Sequence, residues 1–160
     1  MSTANSISSC ERATTAEEAA FRLDYPLAHA RATRVIAFDP IAERTVRRIA
    51  DNSWGQAKFY TITESGSNLI TLDGERESME QEIAESDSVI FVATNSIAAD
   101  AAWAVGKAAW ERAIMTAGLL LLDDGDLEGR TLAAIRPHCR ILLVPADESD
   151  LFELLVAIRA

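Results

Sequence analysis

SDSVIFVATNSIAADAAWAVGKAAWERAIMTAGLLLLDD, residues 86–124, decides how the rest of the chain is read. A short β-rich apolar run, SDSVIFVA, gives way to the turn TNSIAAD and then to alanine-rich helix formers. The stretch ends in a second apolar run, AGLLLLDD. Such a succession predicts a buried strand, a helix over 97–115 behind Ser96, and a second buried strand over 118–122. Strand, helix and strand in that order form the unit of parallel α/β sheets. Where this unit binds a nucleotide, glycines in the turn let the backbone cradle phosphate at the helix N-terminus. TNSIAAD contains no glycine.

Working outward, RVIAF lies at the centre of a predicted first strand over 32–38, with Asp39 placed to cap the following helix and Pro40 at its first position. That helix carries IAERTVRRIA and offers Ile41, Val46, Ile49 and Ala50 to a core. AKFYTIT predicts a second strand, NLITLD a third at an edge, and ERESMEQEIAES a polar helix leading back to the central unit. Downstream, TLAAIRPH reads as a short helix, RILLVP as a strand and residues 149–159 as a final helix. Six strands alternating with helices imply a three-layer, Rossmann-like α/β sandwich with a mostly parallel sheet. Residues 1–14 read as a flexible tail and 15–160 as a single domain, with a capping box at Thr15 and Glu18 opening a short helix.

The core must be built mostly from Ala, Val, Ile and Leu, since 49% of the chain is hydrophobic but only 6% aromatic. A formal net charge of −10 opposes nucleic acid and anionic membrane and suits a basic or neutral protein partner. Cys10 and Cys139 share no CxxC or Cys/His spacing, so neither a disulfide framework nor a zinc site is indicated. Reduced thiols fit a cytoplasmic protein. No apolar run approaches the ~20 residues of a membrane span, and MSTANSISSC lacks the pattern of a secretory signal.

Taken in order, VIAFDPIAERTVRRI, NSWGQAKFYTIT, ESDSVIFVATNSIAADAAWAV, AIMTAGLLL and RPHCRILLVPADESDLFELL resemble the strands, loops and helices of the nucleotide-binding domain of the FtsZ/tubulin GTPase family. The resemblance implies phosphate loops after the first strand and at Thr94 to Asp100. Both loops depart from the family pattern. DPIAE and TNSIAAD lack glycine, and Asp39, Glu43 and Asp100 put carboxylates where a helix dipole would otherwise meet phosphate. The chain stops before the family's acidic catalytic loop and second domain. GTP hydrolysis and filament growth are therefore expected to be absent, and no cofactor or metal is expected.

Several residues compete for a role. Trp103, Lys107 and Trp110 fall on one helical stripe at i, i+4 and i+7. Full or partial burial against the sheet is the favoured reading of that stripe, and a partner-binding face anchored by indoles beside a cation is the functional one. Asp123, Asp124 and Asp126 follow a strand where open sheets bind ligands, but a solvated turn accounts for them. Asp39 reads as an N-cap rather than a nucleophile, because no second acid or late lysine accompanies it. His29 and His138 have no nucleophile in pairing distance along the sequence, and Trp54-Gly55 reads as a turn with an anchoring aromatic.

Two functional expectations follow, from different classes. The leading one is a non-catalytic accessory or regulatory protein, acting through a protein partner or self-association at Trp103, Lys107 and Trp110. The alternative is a ligand- or metal-binding α/β protein or enzyme drawing on Asp39, Thr94, Asn95, Ser96, Asp100, Asp123 and Asp124.

Overall fold

Burial on both sides marks the middle of the sheet. In the computed structural model, which describes residues 29–122 and 125–160, every residue of β1 (Thr33–Ala37) and β5 (Ser88–Ala93) is buried. Their apolar side chains divide by the two-residue period of a strand. Val35, Ala37, Ile90 and Val92 join one core cluster with Ala42, Val46 and Ile49 of α1 (Pro40–Ala50) and Leu151 and Leu155 of α5 (Glu148–Ile158). Ile36, Val89, Phe91 and Ala93 join the other, with Met79 and Ile83 of α2 (Met79–Ala84) and the small residues of α3 (Ala99–Glu111). Within that second cluster Phe38 stacks on Phe91, ring centroids 4.9 Å apart.

The sheet is mixed and has seven strands, in the order β4-β3-β2-β1-β5-β6-β7, with β2 at Lys58–Ile62, β3 at Asn68–Thr71, β4 at Arg76–Ser78, β6 at Met115–Leu121 and β7 at Ile141–Ala146. β2, β1, β5, β6 and β7 are parallel neighbours; β3 and β4 are antiparallel additions on one edge. Six strands were expected. The extra one is cut from the stretch read as a polar helix: Gly74, at φ 95°, turns the chain so that Arg76–Ser78 pairs with β3 before α2 begins. Ser78 then caps α2.

Two further boundaries move. The central helix ends at Glu111, not 115, because Ala113 takes φ 54° and the Ile114 amide donates back to the Ala109 carbonyl. Met115 is thereby delivered to pair with Ser88, three residues before the expected start of that strand. TLAAIRPH splits into α4 (Gly129–Ile135) and a 3₁₀ turn at Arg136–His138. By contrast, Asp39 and Pro40 open α1 as expected, and Trp54 anchors its turn by donating to the Ile49 carbonyl and packing edge-on against Phe152.

Under β1 and β2 lies a buried polar cluster that the sequence did not flag. Arg34 donates to Glu82 at 2.9 Å, Lys58 approaches the same carboxylate at 3.4 Å, and the Tyr60 hydroxyl lies 2.8 Å from both Glu77 and Glu82, sharing one proton between them. Burial first, then the two carboxylates, push the Tyr60 phenol well above its ordinary range. Burial also works to raise Glu82, but the Tyr60 hydrogen bond and the charges of Arg34 and Lys58 outweigh it and hold that carboxyl low. The tail over 1–14, the capping box at Thr15, Cys10, Asp123 and Asp124 lie outside the described residues. Among the described residues no helix is long and apolar enough to cross a membrane.

Candidate functional site

The sheet reverses its winding between β1 and β5, and the C-terminal ends of those strands border the crevice where open α/β sheets hold ligands. Here the crevice is sewn shut by the chain itself. Oδ1 of Asp39 accepts the amides of Ile41 and Ala42, and Oδ2 reaches across the switch point to accept the Thr94 amide at 2.7 Å. Beside it the Ala98 amide donates to the Phe38 carbonyl at 3.0 Å. Asp39 retains 7% of its surface and Thr94 5%. A carboxylate already accepting three amides in a closed crevice is structural.

Asn95 is also engaged. Its Nδ2 donates to the Asp126 carbonyl at 3.0 Å, while Oδ1 accepts the Glu128 amide and the Thr131 hydroxyl, so one side chain fixes the loop leading into α4. Thr94 Oγ1 accepts the Ser96 amide. Among the described candidates of this edge, Ser96, Asp100 and Asp126 are exposed. Between Asn95, Ser96, Ile97 and Arg130 a shallow opening of about 260 Å³ remains, and Arg130 in it pairs with Glu128. Glu43, the other acid placed against phosphate, pairs instead with Arg47 one turn on. Among the described residues no three His, Cys, Asp or Glu side chains converge as a metal-binding group.

The tryptophan stripe behaves in the opposite way. Ala101, Ala102, Val105, Ala108 and Ala109 turn α3 into the core, and their small side chains bring the helix close to the sheet. Trp103 and Trp110 therefore point outward, 58% and 82% exposed, which overturns the favoured expectation that the stripe is core. Lys107 sits between them with Nζ 5.4 Å from the Trp103 ring centroid and 3.9 Å from a carboxylate oxygen of Glu111.

Beside this stripe runs a groove of about 390 Å³, whose far wall is the segment Pro137 to Arg140. Gly106 and His138 set its width. A Cβ on Gly106 would lie 2.2 Å from His138 Nδ1, so the helix carries glycine where the imidazole needs the space. Burial lowers the pKa of His138 below the ordinary 6.5, leaving it neutral near pH 7, and pushes the Cys139 thiol up to about 12, so it is no nucleophile. Arg140 is exposed at the rim, its backbone amide held by the Thr116 carbonyl.

Of the proposed sites among the described residues, then, Trp103, Lys107 and Trp110 line one groove and Asn95 and Ser96 line the smaller opening, whereas Asp39 and Thr94 are buried in the chain. Sequence reasoning missed His138, Cys139 and Arg140 as companions of Trp103 and Trp110. The available signal was Gly106, an interior helix glycine that marks a close approach. The sequence matches no protein-family model and no curated protein.

Proposed function

We propose that the chain is a non-catalytic accessory or regulatory protein, a divergent FtsZ/tubulin-like domain in a three-layer sandwich whose nucleotide site is lost. It acts by binding protein, through a partner or a second copy, at Trp103, Lys107 and Trp110. The observation that carries this reading is the exposure of both indoles beside a groove of about 390 Å³. Large aromatics on rigid secondary structure next to a cation are characteristic anchors of protein interfaces. Loss of a phosphate site is supported by Asp39, whose carboxylate occupies the amides that would otherwise face an anion.

Replacing Trp103 and Trp110 together by alanine tests the reading. Self-association in the analytical ultracentrifuge, or retention of a partner in pull-down, should be lost while thermal unfolding is preserved. Association that survives both substitutions would sink it. The opening between Ser96 and Arg130 favours a second reading, a small ligand at the C-terminal edge of the sheet. A saturable rise in melting temperature with GTP, GDP, ATP, NAD or magnesium would establish that reading instead.

A further inference from the structure

We infer that the groove along α3 receives a short acidic peptide segment, an aromatic or aliphatic residue seated between Trp103 and Trp110 and flanking carboxylates meeting Lys107 and Arg140. This rests on the protein-binding reading and names its partner's chemistry. The chain holds 25 acidic residues against 15 lysines and arginines, yet the groove lining includes Lys107 and Arg140 and no Asp or Glu. Such a surface is charged opposite to the molecule that bears it, which is the arrangement electrostatic complementarity requires for an acidic ligand.

The other charges nearby support the assignment. Glu111 flanks the groove from the last turn of α3, and at 3.9 Å it engages Lys107 only at the outer limit of an ion pair, leaving Lys107 half exposed. Among the described residues Arg140 makes no ion pair. His138, neutral near pH 7, adds hydrogen-bonding capacity without charge. Apart from Thr116, the remaining lining is apolar or weakly polar, including Ala113, Ile114, Pro137 and the un-ionised Cys139. An apolar anchor is therefore wanted as well as a carboxylate. Distant acids do not cancel this preference, because charges beyond about 8 Å are screened at physiological salt. They do weigh against a long polyanion, whose charge would spread past the groove onto the acidic surface.

The test is selection of random displayed decapeptides on the full chain, with the Trp103→Ala/Trp110→Ala variant as counter-selection. Enriched peptides are then titrated by fluorescence anisotropy. Peptides of net negative charge with a central aromatic or aliphatic residue should be enriched. Lys107→Glu and Arg140→Glu should each weaken them about tenfold, and Arg44→Glu, on the opposite face of the sheet, less than about twofold. Enrichment of neutral or basic peptides that still depend on the tryptophans would overturn the acidic partner and leave the protein-binding reading standing. Failure to enrich anything beyond the counter-selected variant would overturn both. Tighter binding of a decathymidylate than of the acidic peptides would reassign the indoles and cations to base stacking and phosphate contact, and overturn the proposal.

Discussion

The two ends of α3 border opposite kinds of surface. At its N-terminal end, where the fold class places ligands, Asp39, Thr94 and Asn95 bond to amides, carbonyls and hydroxyls of the chain itself. From its second turn to its last, Trp103, Lys107 and Trp110 stand clear of the core beside an open groove. Of the residue types suited to chemistry at the first end, Asp39, Thr94 and Asn95 are consumed by the fold, while Ser96 and Asp100 stay exposed. Residue types suited to packing gather at the other and are left unpacked. Binding capacity follows what remains unsatisfied after folding, not what a position could do in isolation.

The most direct way to break the contrast is Asp39→Ala. It would orphan the amides of Ile41, Ala42 and Thr94 together, removing a helix cap and the Asp39–Thr94 link across the switch point at the strands' C-terminal ends. Cap losses cost about 1 kcal/mol and a buried unsatisfied amide about 1–3 kcal/mol, so denaturant unfolding should show a loss of about 2–4 kcal/mol. Asp39→Asn keeps an acceptor oxygen for one set of amides and should lose less. If Asp39→Ala unfolds at the wild-type midpoint and instead gains nucleotide affinity, Asp39 is a guard of a working site rather than a stitch.

At the groove, Gly106→Ala is the corresponding break. The added methyl would meet His138 and force the 3₁₀ turn outward, costing about 1–3 kcal/mol as overpacking does. Combining it with His138→Ala should restore part of that loss, because the closest clashes are with Nδ1 and Cγ of the imidazole, while the His138 Cβ that alanine retains keeps the rescue incomplete. Absence of rescue in a double-mutant cycle would show that Gly106 is required for some other reason. Trp103→Ser with Trp110→Ser should matter still less to folding. Both rings are exposed, and the Lys107 contact over Trp103 is worth about 0.5–1 kcal/mol at such a site. A loss well beyond 1 kcal/mol in chemical unfolding would mean that the indoles support the fold.

The alternation of strands and helices was legible because burial of β1 and β5 on both faces demands continuous apolar runs. β4 was not, since Arg76–Ser78 is polar and owes its pairing to the turn at Gly74. The Asp39 cap was readable from the Asp-Pro pair, but its bond to Thr94 spans 55 positions and depends on strand order. For the stripe the correct answer was in the sequence. Ala101, Val105 and Ala108 form an opposite stripe with no polar member, whereas the tryptophan stripe includes Lys107, so the small residues had the stronger claim on the core. Tryptophan's bulk outweighed that comparison. Arg34, Tyr60, Glu77 and Glu82 lie on four separate elements, and nothing local announces that they meet.

The smallest expected effect is a pH dependence at the groove wall. Burial lowers the pKa of His138 in the folded chain, while the unfolded chain titrates at the ordinary 6.5. As pH falls from above 6.5 toward the lower folded value, the unfolded state takes up the proton first, so stability declines across that window and levels off below it. His138→Gln removes the titrating group, and its unfolding midpoint should change less between pH 7.5 and 5.5 than that of the wild type. Parallel curves for the two proteins would mean that His138 takes up its proton without resistance, and that this wall of the groove is as open to solvent as the tryptophans facing it.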